Sequence, residues 1–424
     1  MIRLSGKLSS GLSAAVGATA LIGVLTPATT AHAVQLSCGQ TVTTSVVLTA
    51  DLLNCPGDGL VVGGNGITID LGGHTVDGVG LGTGIRNDGF DQVTVTNSAG
   101  APASVQEFDQ GVRLNPGTSG NVVEELTIRN NEFSGVELNN ADTDNRVRHN
   151  VIDRQAQRGI TLIGGSSDNV IADNKITENQ GEGVFVQDST GNRFENNTIA
   201  GSGDTGLILE GSGGNTLLSN SVDGSSDGAI VLRLGSHDNL VQSNTAALNS
   251  DAALSVSDST GNRLLSNTLR GGGDSGIVLQ WSHGSTITGN DVSENTGGIE
   301  LSYSDRNLIR SNTANDTTGD GISLGHSRGN TVEHNQANRN GSRGIYLDGE
   351  APSGLGNLLA DNTTNANQGD GIAVSKAVHT IRNNISRDNG GWGVLADQGT
   401  IDGGGNRATG NGQAGQCSGV TCTP

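Results

Sequence analysis

The sequence predicts an all-β fold, a parallel β-helix of about 12 regular coils that follow several irregular N-terminal ones. A unit of 22 to 24 residues recurs along the chain, each unit holds three short apolar stretches of period two, and Gly, Asn and Asp separate the stretches. Period two places alternate side chains on opposite faces of a strand, and no stretch has the 3.6 period of a helix. Three strands and three turns make one coil, and coils stack about 4.8 Å apart.

The unit has a fixed order. An Asn opens it, a second Asn follows five residues later, and a Gly-aliphatic-x-aliphatic run closes it, as in Asn262–Leu279. Ser285 and His379 replace the opening Asn in two copies. We expect the second Asn to adopt the left-handed conformation at a tight turn and to bond the Asn of the next coil, which makes a ladder. The opening Asn recurs at Asn121, Asn145, Asn169, Asn192, Asn215, Asn239, Asn262, Asn307, Asn330 and Asn357.

A leucine-rich repeat is the alternative fold, because its period overlaps with this one. That repeat requires a Leu-rich consensus with a helix or 3₁₀ segment in each copy. Here Ile and Val dominate the apolar positions, and no segment has a helical pattern. The sequence therefore favours the β-helix.

Composition limits the classes of partner. The chain has 424 residues, a formal net charge of −20, 68 Gly, and only 2 Trp, 2 Tyr and 5 Phe. A solenoid buries its core between coils and needs few large aromatics, so one elongated domain, most simply a monomer, is expected. The negative charge argues against nucleic acid, whose phosphates require Lys and Arg.

The N-terminus is typical of an export signal. Arg3 and Lys7 precede an apolar, small-residue run, and Ala31-His32-Ala33 fits a cleavage site. The run is too short to span a bilayer. We therefore predict a signal peptide over residues 1–33, a cap with the first coils over 34–120, regular repeats over 121–412, a tail over 413–424, and a secreted protein without a membrane anchor.

Four cysteines follow the predicted signal: Cys38, Cys55, Cys417 and Cys422. An even number in an exported chain predicts disulfides, and four cysteines allow three connectivities. The two local pairs would place one staple at each end of the solenoid, where the core and the strand edges need a cap. A zinc site is the alternative, although no nearby His completes a ligand set.

The pattern G-I-x-L followed by N-x-I-x-x-N-x-I, over about Leu60 to Asn411, resembles the right-handed parallel β-helix repeat. Pectate-lyase-like and NosD-like periplasmic proteins share that repeat. The resemblance implies a right-handed winding and a polysaccharide bound on the first sheet, which the Gly-aliphatic-x-aliphatic runs form. In the lyases a carboxylate-bound calcium neutralises a uronate, so calcium is the cofactor that the resemblance implies. A NosD-like copper role is disfavoured, because the exported part has no Met.

Candidate catalytic residues come from the later coils. Glu300 and Tyr346 occupy the outward position of their closing runs, whereas the outward residues of the early and middle coils do not suggest catalysis. The residue before the closing Gly reads Gly297, Asp320, Arg343, Asp370 and Gly391 in successive copies. Asp320 and Asp370 are expected to flank Arg343 and to hold calcium or a uronate, while Arg343 or Tyr346 acts as the base. Alternatively, Asp-Gly forms an ordinary turn and Arg343 a structural salt bridge.

Candidate substrate-binding residues lie in or just after the same runs. They are Trp281, Tyr303, His326 and Asp348, and we expect an exposed aromatic face to stack on a sugar ring. The longest copy has its extra residues directly after Asp348, and loop insertions on a regular scaffold often carry function.

Two functions remain open. The protein is either a polysaccharide lyase or hydrolase, or a non-catalytic solenoid that binds glycans. The charged column favours the enzyme, and the bland middle coils favour the binding protein.

Overall fold

A computed structural model describes residues 31–349, 355–376 and 378–424 of the chain. Ala31–Pro424 form one compact unit. Most of the predicted export signal and most of the insertion after Asp348 lie outside the described residues. Within the described ranges there are strands and turns only, so no helix is long and apolar enough to cross a membrane.

The described strands form three parallel sheets, which we call A, B and C. Sheet A has 17 strands: His32–Val34, Val46–Leu48, Thr68–Asp70, Thr94–Thr96, Val122–Glu124, Arg146–Arg148, Val170–Ala172, Arg193–Glu195, Thr216–Leu218, Leu240–Gln242, Arg263–Leu265, Thr286–Thr288, Leu308–Arg310, Thr331–Glu333, Leu358–Ala360, Thr380–Arg382 and Ile401–Asp402. Sheet B has 17: Gln40–Val42, Leu60–Val62, Thr83–Asp88, Gln110–Asn115, Ser134–Asn139, Arg158–Ile163, Val184–Gln187, Leu207–Glu210, Ile230–Arg233, Leu254–Ser257, Ile277–Gln280, Ile299–Ser302, Ile322–Gly325, Ile345–Asp348, Ile372–Val374, Val394–Ala396 and Cys417–Ser418.

Sheet C is divided into two parts. Nine strands form the first: Thr75–Asp77, Ser104–Gln106, Thr127–Arg129, Val151–Asp153, Lys175–Thr177, Thr198–Ala200, Ser221–Asp223, Thr245–Ala247 and Thr268–Arg270. Four form the second: Thr363–Asn365, Ile385–Arg387, Asn406–Thr409 and Cys422–Thr423. Single bridges through Asp291, Thr313 and Gln336 connect the two parts.

Each strand pairs in parallel with the equivalent strand one coil away. In sheet B, for example, Ile277 pairs with Ile299, and Ile299 with Ile322. The predicted parallel β-helix is therefore confirmed. The leucine-rich alternative is wrong for the described residues, because their coils contain no helical segment.

Inward side chains of like shape stack to make the core. Ile152, Ile176 and Ile199 of sheet C follow one another on three coils and are fully buried. Each such side chain contributes roughly 1.5–3 kcal/mol by leaving water. The core thus runs between coils, as the repeat predicts.

Asn side chains form ladders at the turns. Asn150 donates its amide to the Val123 carbonyl at 2.9 Å and to Asn174 Oδ1 at 3.1 Å, and that oxygen also accepts the backbone N–H of Asn150. The ladder prediction holds, but one detail of it was wrong. The residue before the second Asn, such as Ser219 or Ser266, has the positive φ, which leaves the Asn amide free to point inward.

Disulfides close both ends of the described solenoid. Cys38 pairs with Cys55 and Cys417 with Cys422, so the local connectivity is confirmed and the zinc alternative is excluded. His32 and Ala33 belong to the first strand of sheet A and pair with Val46 and Val47. Cleavage after Ala33, which stays a prediction, would remove them from that strand.

Candidate functional site

Two rows of outward side chains on sheet B define the floor of a cleft. Register pairs Glu300 with Ser323 and Ser323 with Tyr346, as the sequence predicts. The second row holds Ser302, Gly325 and Asp348. The cleft has a volume of about 390 Å³, and Asp274, Asp320 and Arg343 also line it. We call it the Glu300 cleft.

Arg343 is fixed from two sides at one end of the cleft. Its Nε and Nη2 donate to the two carboxylate oxygens of Asp320 at 3.0 and 2.8 Å. Its guanidinium carbon lies 3.3 Å from the centroid of the Tyr346 ring, a cation–π arrangement. Burial opposes the charge of Arg343, but Asp320 and Tyr346 together raise the pKa of Arg343 above its ordinary value. Arg343 is thus held charged, which suits it to orient a ligand oxygen and not to accept a proton.

Asp370 lies next to Arg343 on the following coil, as expected, but its carboxylate binds the main chain and not the Arg343 guanidinium. Its Oδ1 accepts the backbone N–H of Trp392 at 2.6 Å, and it does not line the Glu300 cleft. Asp320 Oδ1 makes the same kind of bond to the backbone N–H of Arg343 at 2.9 Å. Both aspartates therefore cap the next coil, which is the structural alternative for this column. Register also corrects the column, because Trp392, and not Gly391, is equivalent to Asp370.

Glu300 carries a nearly unengaged carboxylate on the cleft floor. It is exposed, and its one hydrogen-bond partner among the described residues is the Ser275 hydroxyl, which donates to Oε2 at 3.4 Å. Val278 precedes it in the same row and Ser323 follows it. No cation pairs with Glu300 among the described residues. This carboxylate is thus available to a ligand.

Asp348 lines the cleft on the same coil as Arg343 and Tyr346, in the second row of the floor. It accepts the Ser375 hydroxyl at 3.0 Å and lies 3.7 Å from Lys376 Nζ. The Ser375 hydrogen bond, with smaller contributions from Lys376 and His326, lowers the pKa of Asp348. Asp348 is therefore ionised at neutral pH.

Three rings at equivalent positions form a stack beside the cleft, which we call the ring ladder. Trp281 and Tyr303 lie 4.2 Å apart with planes at 7°, and Tyr303 and His326 lie 4.9 Å apart at 17°. All three residues have φ near +50°, and Trp281 and Tyr303 are half exposed. Both faces of Tyr303 are covered by its neighbours. The expected open aromatic face is thus limited to the two ends of the stack, and the ladder offers mainly ring edges.

A second, smaller concavity lies along the other side of the ring ladder. It has a volume of about 230 Å³ and is lined by the three rings with His283, Asp305 and Arg328. His283 Nδ1 accepts the backbone N–H of Asp305 at 2.9 Å, and Asp305 Oδ1 accepts that of Arg328 at 2.8 Å. These hydrogen bonds between a side chain and the main chain of the next coil fix the spacing of His283, Asp305 and Arg328.

Sequence reasoning missed a charged group on an early coil. Glu137 lies in the same outward row, is buried, and accepts Gln110 Nε2 at 2.7 Å. Burial raises the pKa of Glu137 despite the opposing effects of Asn139 and Arg113. A Glu between Val136 and Leu138, at an outward position, was the signal in the sequence.

The described residues do not fit a copper centre. They contain no group of three His, Cys, Asp or Glu side chains that could hold a metal ion. The four cysteines are in disulfides, and the one Met of the chain is Met1. The soft ligands that copper(I) prefers are thus missing from this part of the chain.

The fold and the repeat define a class of protein. The family model described as "Right handed beta helix region" matches residues 41–245 and 159–283, which together cover more than half of the chain. The chain therefore belongs to the right-handed β-helix family. A second model, "Periplasmic copper-binding protein (NosD)", matches residues 227–355. No curated protein matches the sequence.

Solved structures with a similar fold include the mannuronan C-5 epimerase AlgE4 A-module of Azotobacter vinelandii, with 14% identity over 82% of this chain and 91% of that one, and a TM-score of 0.49. DFA-IIIase from Arthrobacter chlorophenolicus A6 has 13% identity over 62% and 83%, with a TM-score of 0.49. The periplasmic alginate epimerase AlgG has 13% identity over 82% and 78%, with a TM-score of 0.45. At these values the similarity concerns the architecture of the fold and carries no argument about function.

Proposed function

We propose that the protein binds a polysaccharide in the Glu300 cleft and works outside the cytoplasm. One observation carries the proposal: an open cleft on a rigid sheet presents a free carboxylate and, two coils further, a fixed guanidinium beside a tyrosine ring. Sugars are recognised by such fixed polar groups beside an aromatic surface. The side chains of the cleft floor at Ser302, Ser323 and Gly325 are small, so a polysaccharide chain has room to lie on the floor.

The two disulfides support the location. Disulfides persist in oxidising compartments and are rare in the cytosol. The predicted signal peptide points the same way. An extracellular or periplasmic protein meets polysaccharides directly.

The charges of the cleft favour a neutral polymer. Among the described residues that line the cleft, Asp274, Glu300, Asp320 and Asp348 contribute four carboxylates, and Arg343 is the one guanidinium. Asp320 already neutralises Arg343. A uronate would therefore need a divalent cation to offset the carboxylates, and calcium, the ion that oxygen ligands favour, is the candidate.

Cleavage of the bound chain is the second candidate function. Glu300 is free, and Arg343 and Tyr346 both lie two coils further along the same face. In a hydrolase Glu300 is suited to general acid or base work, with Asp320 or Asp348 as the second carboxylate. Arg343 then binds substrate oxygen and takes no proton.

A panel of pectins, alginates, glycosaminoglycans and neutral glucans, each with and without calcium, tests both candidates. Binding is read by titration, cleavage by reducing ends, and elimination by the absorbance of unsaturated uronate. We expect wild type to bind neutral glucans without calcium and Tyr346→Ala to lose the binding.

Val278→Ala is the matched control, since Val278 lies in the same outward row and does not line the cleft. Reducing ends that vanish in Glu300→Gln establish a hydrolase, and calcium-dependent absorbance establishes a lyase. Binding without products leaves the non-catalytic function. If no polymer binds, or if Val278→Ala loses as much binding as Tyr346→Ala, the proposal is wrong.

A further inference from the structure

The Glu300 cleft and the ring ladder are consecutive along the same strands. Ser302 and Gly325 line the cleft, and the next residues, Tyr303 and His326, line the smaller concavity. Register places Trp281, Tyr303 and His326 in one row, as it places Glu300, Ser323 and Tyr346 in another. The two concavities are therefore neighbours across a boundary one residue wide.

Nothing tall stands on that boundary in the central coils. Ser302 and Gly325 occupy the row of the cleft floor that adjoins the ladder, and both are small. Asp348 stands at one end of this row and Gln280 at the other. A ligand chain that leaves the cleft along the strands thus meets an open passage, whereas a chain that runs along the solenoid axis meets these longer side chains.

We infer that a linear saccharide lies across the coils, parallel to the strands, and that the ring ladder is its distal subsite. This inference rests on the proposed function of the cleft. From Asp320 to His326 the path covers six residues, about 20 Å of extended strand, which accommodates several linked sugar rings. The ladder adds a binding surface that a short oligosaccharide seated in the cleft does not reach.

The geometry of the stack determines how the ladder would contact sugar. The stacked faces of Tyr303 are unavailable, so its hydroxyl and ring edge face the ligand, together with the indole of Trp281 and a nitrogen of His326. Gly349 takes the next place in the row, with φ of +127°, and a side chain there would approach the His326 backbone at 2.7 Å. In the described part of the next coil, no ring consequently lies over the outer face of His326.

Titration of the full exported chain with size-fractionated oligomers of the panel polymers, from disaccharide to octasaccharide, tests the inference. Wild type is expected to gain affinity as the oligomer lengthens. Trp281→Ala and Tyr303→Ala should lose about tenfold for the longest oligomers and retain wild-type affinity for the shortest. Tyr303→Phe keeps the ring stack and shows how much the Tyr303 hydroxyl alone contributes to the affinity.

Leu234→Ala is the matched control, because Leu234 occupies the same row two coils before Trp281, has a positive φ and is 61% exposed. Thermal melts confirm that each variant is folded. Equal losses for short and long oligomers, or no loss at all, overturn the distal subsite while leaving the cleft in place. If wild type binds no oligomer and no polymer, the proposed function fails, and this inference fails with it.

Discussion

Some single residues depart from the repeat, and His379 is the clearest case. It takes the place of an opening Asn and is fully buried. Its Nδ1 accepts the backbone N–H of Asn357 at 3.0 Å, while Nε2 has no partner among the described residues. A ring that accepts through Nδ1 carries its proton on Nε2, so the neutral form fits and a second proton does not.

Acid should therefore destabilise the protein through His379. Burial lowers the pKa of His379 from 6.5 to about 4. The unfolded chain takes up the proton as pH falls below 6.5, and the folded chain takes it up only near 4. Stability is lost across that window, by at most about 3 kcal/mol.

His379→Asn removes this loss, because Asn does not titrate and restores the ladder residue. Urea unfolding of both proteins at pH 7 and at pH 4.5 gives the comparison. The midpoint of wild type should fall further than that of the variant. Equal falls would show that His379 does not contribute to acid sensitivity.

At the scale of the element, the ladders hold one coil on the next. Asn384 is fully buried, donates its amide to the Leu359 carbonyl at 3.1 Å, and accepts the backbone N–H of Asn362 at 2.9 Å. Each such residue satisfies main-chain groups that no strand pairs. The recurrence of Asn in the sequence is thus explained by what a buried turn needs.

Asn384→Asp should be strongly destabilising, since a carboxylate cannot donate to the Leu359 carbonyl and loses its hydration. We expect a loss of about 2–4 kcal/mol in the free energy of unfolding. Asn383→Asp makes the same chemical change at the adjacent, exposed position and should cost little. Denaturant titration of both variants measures the loss in the free energy of unfolding. Similar losses for Asn384→Asp and Asn383→Asp would contradict a ladder role specific to Asn384.

The elements were predictable to different degrees. Period two and the spacing of Asn gave the strands, their register and the outward row that includes Glu300 and Tyr346. The sequence could not give the partner of Asp370, because a carboxylate at a turn bonds either the neighbouring coil's main chain or a side chain. It also could not show that Trp281, Tyr303 and His326 stack face to face, since that depends on their shared positive φ.

At the scale of the molecule, charge limits what the cleft accepts. The chain carries a formal net charge of −20, and the one guanidinium that lines the cleft is already paired. Polyanions are repelled by such a surface, and the repulsion weakens as salt screens it. The molecule as a whole therefore selects for neutral chains in low salt.

Polyuronates should consequently bind only with calcium or at high ionic strength. Neutral glucans should bind equally well at low and at high ionic strength, with or without calcium. Titrations of alginate and of a neutral glucan at 10 mM and 500 mM NaCl, with and without calcium, test this expectation. Alginate binding that is strongest in low salt without calcium would show that a free cationic group dominates the site.

The central claim is that the Glu300 cleft is the saccharide site. A crystal structure of the exported chain with the longest oligosaccharide that binds in the panel tests it most directly. We predict sugar density over Glu300, Ser323 and Tyr346 that continues along the strands past Gly325 to the ring ladder. Density elsewhere, for example over Glu137 on the early coils, would contradict the account.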